Sequence, residues 1–413
     1  MTKDFPGRGK VAVLRTSPDT VLEDYARLMG LAGVREILPQ DKETILKINI
    51  SWQTWYPACS TAPWQLEGVI RGLRAAGYEN LIAGHNDTVV VDAHVGERNN
   101  KHKFVVDTYG VRNVHLFEPR YNWVRYEPPE PFLVLDQIYP EGVYIPELLI
   151  GRNIIQLPTV KTHVFTTITG AMKNAFGGLL GRKRHWTHAD IHKTLVDLLM
   201  IQQDIHPGLF AVMDGTFAGD GPGPRAMRWH EKDILLASGD QVAIDAMSAH
   251  LQGFDPLEIP FIRIAHDMGL GVGDPEQIEI VGEDRDWVMA QDWEFVQEDT
   301  FASRGQEMIY HGPLKPLEGL LLRSPLVPWS YFASNFYHNV YWYPFVGRGR
   351  VERALDTKWG RLFSEYGAEA GLRGAVMPGM ERRTVVTAAI GLAALASAAG
   401  LGIWLLQRGE DKA

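Results

Sequence analysis

Between residues 163 and 193 stand four histidines (His163, His185, His188, His192), five basic side chains (Lys173, Arg182, Lys183, Arg184, Lys193) and the glycines Gly170, Gly177, Gly178 and Gly181. Glycines let a backbone approach a ligand and expose its amides, and the basic groups attract an anion. The combination predicts recognition of phosphate or carboxylate, with Lys173, Asn174, Gly177, Gly178, Arg182 and Arg184 as ligand- or cofactor-binding residues. Lys173 lies in TGAMKNAFGG, amid small and apolar neighbours where an ammonium is costly unless it is paired or chemically employed. Two readings stay open for it: a structural salt bridge, or a desolvated amine that acts as nucleophile or covalent attachment point.

A helix starting after Thr187, a suitable N-cap, would put His188 and His192 on one face. That geometry presents two imidazoles to one metal ion, although the same spacing also arises by chance on a helix. Asp214 and Asp220, expected on either side of a turn in MDGTFAGDGPGP, either orient those histidines, bind a cation, or simply hydrogen-bond the backbone of a tight turn.

The elements that must position these groups follow from hydrophobic periodicity. Val11 to Thr16, Ile45 to Ser51 and the run NLIAG ending at Gly84 read as strands; Thr20 to Leu31 and Pro63 to Ala76 read as helices. Asn153 to Pro158 reads as another buried strand, Phe210 to Pro224 as a strand entering a glycine-proline loop, and Asp233 to Gly253 as strand, turn and helix. Strand, helix and strand at this spacing predict an α/β fold of mostly parallel, helix-covered sheets, here expected in two lobes. Functional groups in such sheets gather beyond the C-terminal ends of the strands, which places Asn49 and Ser51 beside His85, Asn86 and Asp87. His85 and His163 are the acid/base candidates, since imidazole titrates near neutrality.

The stretches LKINIS, GVIRGLRAAGYENLIAGHND, LPTVKTHVFTTITGAMKNAFGGLLGRKRHWTH, VMDGTFAGDGPGP and LLASGDQVAIDAMSAHLQGFDP resemble the domain-of-unknown-function family 362, over about residues 47–282. Many relatives add a ferredoxin-like cysteine module; with Cys59 as its one cysteine this chain has no iron-sulfur cluster of that kind. A more distant similarity is to the nickel-dependent lactate racemases, which carry a histidine after an early strand, then a histidine, a lysine and a further histidine. His85, His163, Lys173 and His188 follow that order. The resemblance implies a lysine that holds a nickel pincer nucleotide, a last histidine that ligates the metal and two histidines that move protons. The racemases' substrate-binding arginine is missing from NISWQTWYPACSTAP, and their later lysine has no counterpart.

The whole chain has 413 residues with a net charge of -9, which argues against bulk attraction to nucleic acid. Its single cysteine excludes a disulfide scaffold. Composition divides it into an α/β domain (1–283), an aromatic-rich region (284–380) and a C-terminal segment (381–413). Residues 384–406 hold no charge and would span about 34 Å as a helix, enough to cross a bilayer. The N-terminus has no apolar signal-like run, so the expectation is a tail-anchored membrane protein with its body facing the cytoplasm. Nine aromatics between Trp329 and Phe345 suit either a membrane interface or packing on the main domain. Two functions compete. One is a membrane-anchored enzyme that binds an anionic small molecule, a divalent metal or a metal-nucleotide cofactor and performs proton-transfer, isomerase or oxidoreductase chemistry. The other is a non-catalytic, membrane-tethered module that binds a membrane protein partner.

Overall fold

The computed structural model describes residues 4–86, 91–310, 312–313, 315 and 335–368. Twelve strands follow in chain order: β1 (Lys10–Arg15), β2 (Thr44–Ile48), β3 (Leu81–His85), β4 (Arg112–His115), β5 (Trp123–Tyr126), β6 (Val143–Pro146), β7 (Asn153–Leu157), β8 (Thr159–His163), β9 (Thr167–Ile168), β10 (Leu209–Asp220), β11 (Arg228–Ser238) and β12 (Glu279–Gly282). Ten of them form one sheet, whose main path runs β12-β1-β11-β10-β7-β2-β3-β4, with β8 and β9 branching from β10. The sheets expected in two lobes are therefore one continuous sheet. It is mostly parallel, with β11 antiparallel to both β1 and β10. Strands β5 and β6 form a separate antiparallel pair.

Strands β2, β3 and β7 are buried from end to end, as their continuous apolar runs require when helices cover both faces. The helix Pro63–Ala75 turns Leu66, Val69, Ile70 and Leu73 inward, and each such side chain contributes about 1.5–3 kcal/mol on burial. Two glycines on it, Gly68 and Gly72, let the helix Val21–Leu31 approach: a Cβ at Gly68 would lie 2.5 Å from the Tyr25 ring, and one at Gly72 2.4 Å from the Met29 methyl.

Two details differ from the sequence reading. The helix after the histidine cluster is Ile191–Ile205, preceded by 3-10 turns over Arg182–Asp190. Thr187 does not cap it; its hydroxyl donates to the Arg184 carbonyl at 2.8 Å within the 3-10 turns. The run MDGTFAGDG is also not a turn. It continues β10 as far as Asp220, paired with β11 through a bulge between Gly215 and Phe217.

The chain divides into two compact units. One runs through Thr300 and resumes at Gly349; the other contains Phe301–Arg348. The first thus passes the boundary expected at residue 283 and takes in the helix Lys358–Glu365, where Trp359 stacks on Trp64 and donates to Asp233 at 2.7 Å. In the second unit, the π-type helix Phe336–Gly347 exposes Phe336, Tyr341 and Phe345. Among the described residues no helix is long and apolar enough to cross a membrane; the expected span 384–406 lies outside them.

Candidate functional site

A cavity of about 250 Å3 opens at the C-terminal ends of β2 and β3, against the helix Ala171–Leu179. Strand β2 delivers Lys47 and, just past its end, Asn49 and Ser51; β3 delivers His85 and then Asn86. The helix contributes Lys173, Asn174 and Gly177, and the 3-10 turns add Arg184, His185 and His188. Arg225 closes the rim.

The helix that carries Lys173 is held at both faces. At its N-terminus the Asp245 carboxyl accepts the Ala171 and Met172 amides at 2.6 and 3.0 Å. That approach demands glycine at position 170, where φ is +137° and a Cβ would sit 2.4 Å from Asp245 Oδ1. Along its side, the Asn174 amide donates to the Lys47 carbonyl and to Gln156 Oε1, both at 2.9 Å, tying the helix to β2 and β7. Asn174 thus positions its neighbour Lys173 as well as lining the cavity. Gly178 leaves room for the Lys47 stem, since a Cβ there would lie 3.1 Å from Lys47 Cε.

Four cations face the cavity, namely Lys47, Lys173, Arg184 and Arg225, and none of the described lining residues carries a carboxylate. Burial is the main reason that the Lys47 amine is pushed down to about 7, with Arg184 adding repulsion. The Lys173 amine is likewise pushed down to about 7, by burial first and then by Lys161 and Arg184. The Lys173 amine has neither a hydrogen bond nor an ion pair among the described residues, and it stands 5.6 Å from the Phe176 ring centroid. Lys47 donates to the Ile48 carbonyl at 2.7 Å. Both amines exchange protons near neutrality, as acid/base groups or nucleophiles must.

His163 does not line the cavity but adjoins its floor. Burial holds its imidazole well below the usual range, with Lys173 and His188 the next contributors, and its Nδ1 accepts the Phe165 amide at 3.1 Å. His188 lines the cavity edge-on to the Phe165 and Phe176 rings; burial pushes it down to about 4. The His188/His192 pair is not on one helical face, because His188 belongs to the 3-10 turns; the His192 ring stacks on Phe261 instead. The Arg182 side chain lies outside the described set.

Asp214 is not part of the cavity. It is a buried acceptor for the Tyr25 hydroxyl (2.5 Å), Trp64 Nε1 (3.0 Å) and the Thr216 hydroxyl (2.7 Å), so it ties two helices to β10. Burial is the chief reason its carboxyl is raised. Asp220 pairs with Arg228 at 2.7 Å and His230 at 3.0 Å on β11. Cys59 is buried, with its thiol pushed up to about 11 by burial, and is a poor nucleophile.

Several cavity groups were not apparent from the sequence. Lys47 was hidden in an apolar strand, where a charge within LKINIS was the signal available. Arg225 donates from Nε to the Ser51 carbonyl at 3.0 Å, so it brings a guanidinium to the segment that has none of its own. His115 meets His85 through the parallel register of β3 and β4, and Glu97, on the helix Ala93–Asn99, approaches both just beside the cavity.

Comparison with known proteins gives a relative and a family. A thylakoid-associated protein of Synechocystis sp. is 31% identical over 121 residues, which is 28% of this chain and 37% of that protein. The chain thus spans little more than a third of that relative's length. No solved structure matches. The family model described as Domain of unknown function (DUF362) matches residues 44–250, half the chain and all of the strands that build the cavity floor, and the protein belongs to that family.

Proposed function

We propose that the protein is an enzyme that binds a carboxylate- or phosphate-bearing small molecule in this cavity and transfers a proton to or from it. The observation that carries the proposal is the charge of the lining: four cations, no described carboxylate, and two amines that exchange protons near pH 7. Arg184 and Arg225 hold the anion, with planar guanidinium groups suited to carboxylate or phosphate. Lys173, with neither a hydrogen bond nor an ion pair for its amine among the described residues, faces the cavity and takes or gives the proton, and His85 and His188 line its flanks. The same features suit a phosphate-bearing metal-nucleotide cofactor linked through Lys173, as the racemase resemblance implies. Such a group would supply an electron-accepting centre, while Arg184 and Arg225 would hold its phosphate.

The relative named thylakoid-associated and the uncharged segment 384–406 together support work at a membrane surface through a C-terminal anchor. The test is solvent exchange: incubate the full chain with a panel of short 2-hydroxy, 2-oxo and phosphorylated acids in D2O and read deuterium incorporation by NMR. Incorporation that disappears in Lys173→Met supports the assignment. No incorporation by a chain that binds these anions would make the cavity a binding site without chemistry.

A further inference from the structure

Beside the cavity, on the far side of His85, lies a second cluster. Its members come from three elements: His85 from β3, His115 from β4, and Glu97 from the helix Ala93–Asn99. Parallel pairing sets His85 directly beside His115, and their rings stack with centroids 5.3 Å apart. Glu97 Oε2 stands 3.0 Å from His115 Nε2 and 3.5 Å from His85 Nε2. All three side chains are buried.

We propose that His85, Glu97 and His115 form a binding site for one divalent transition-metal ion of the zinc class, on the wall of the anion cavity.

Three observations carry this. First, the ligand atoms lie within 4.8 Å of one another, and ligands bound at about 2.0–2.2 Å in a tetrahedral site stand about 3.3–3.6 Å apart. The two histidine-to-carboxylate distances are already close to that spacing. Second, His85 is 1% exposed and, among the described residues, neither of its ring nitrogens has a hydrogen-bond partner. A buried imidazole without a hydrogen bond calls for a ligand, and a metal at Nε2, shared with the Glu97 carboxylate 3.5 Å away, supplies one on that side. Third, Glu97 is oriented as outer groups orient metal ligands: Asn113 donates to its Oε2 at 2.7 Å, while His115 presents its other nitrogen to Glu118 at 3.4 Å. The neighbouring His102 is excluded, because its Nε2 is engaged with the Thr61 carbonyl at 2.6 Å.

Two imidazoles and one carboxylate leave a coordination position open, the arrangement of catalytic rather than structural zinc. His94, half exposed, stands on the solvent side with its Nδ1 3.8 Å from Glu97 Oε1. Because His85 also lines the cavity, the ion would adjoin whatever anion binds there.

The experiment titrates the metal-stripped full chain with Zn2+ and with Co2+, with no anionic ligand present, so that the result is independent of the proposed activity. One ion per chain is expected, with Co2+ giving the visible absorption bands of a low-coordinate nitrogen and oxygen site. Glu97→Gln and His115→Ala should each weaken binding by about 100-fold or more, whereas His192→Ala should leave it unchanged. No saturable binding, or binding that survives loss of Glu97 and His115 but not of His192, overturns the site. Should those variants fail to fold by circular dichroism, X-ray absorption of zinc in the unaltered chain and in His192→Ala decides. Two imidazoles and a carboxylate oxygen in both support the site, and fewer than two imidazoles in either overturns it.

Discussion

The charge state of the cavity makes anion binding depend on pH in a way that ordinary lysines do not produce. The Lys47 and Lys173 amines are both held near 7, so each is about half protonated at pH 7 and about 1% protonated at pH 9. An anion pairs with the ammonium form, so its apparent Kd rises as the competent fraction falls, by about 50-fold per amine over that interval. Affinity is therefore greatest at and below pH 7 and is lost as pH rises. Exposed lysines, with values near 10.4, would stay almost fully charged and change Kd by less than about 10%. With both ammoniums paired to the anion the two effects multiply, and log Kd climbs by about two per pH unit at the alkaline end. Isothermal titration with sulfate, whose charge is constant across this range, reads the slope. In Lys173→Met the slope should fall to about one per pH unit, with binding weaker at pH 7. A Kd that stays flat between pH 7 and pH 9, or a slope that Lys173→Met leaves unaltered, would refute the reasoning.

Asp214→Asn should act on stability alone. It puts an amide among the Tyr25, Trp64 and Thr216 donors, costs about 2–3 kcal/mol by urea unfolding, and leaves sulfate affinity within about twofold. Lost sulfate binding at unchanged stability would return Asp214 to the ligand set. Gly178→Ala should do the reverse: its Cβ crowds Lys47 Cε at 3.1 Å and displaces the amine, lowering sulfate affinity by about tenfold, or about 1.4 kcal/mol. Helix propensity favours alanine here by up to about 1 kcal/mol, so the melting temperature should not fall; a drop in Tm with intact binding would contradict the cavity assignment.

How far the sequence could be read depended on whether a group's surroundings were local. Strands β2, β3 and β7 and the helix Pro63–Ala75 were legible because apolar runs and one-faced periodicity belong to the segment itself. The rule that strand ends collect function then located Asn49, Ser51, His85 and Asn86 at one cavity. The start of the helix Ile191–Ile205 was misread because Thr187 is as good a donor to a 3-10 carbonyl as it is a cap. The glycines of DGTFAGDG suggested a turn, but tertiary packing selects small residues there: a Cβ on Gly215 would lie 2.7 Å from Ile234, and one on Gly219 2.7 Å from Met227. Glu97 and His115 were beyond sequence reasoning, since the β3–β4 register brings His115 to His85 and the packing of the helix Ala93–Asn99 brings Glu97. Lys47 and Arg225 were missed for a like cause, standing 126 residues before and 52 residues after Lys173, with the fold alone joining them.

The anion cavity is tested most directly with a probe that is at once anion and aldehyde. Pyridoxal 5'-phosphate condenses with an unprotonated amine, releasing water, and borohydride then reduces the imine to a stable secondary amine that peptide mass spectrometry locates. At neutral pH, Lys173 or Lys47 should be marked well ahead of exposed lysines such as Lys42 and Lys103, and added sulfate should protect them. Marking confined to exposed lysines, with no protection by sulfate, would contradict an anion site built around these two amines.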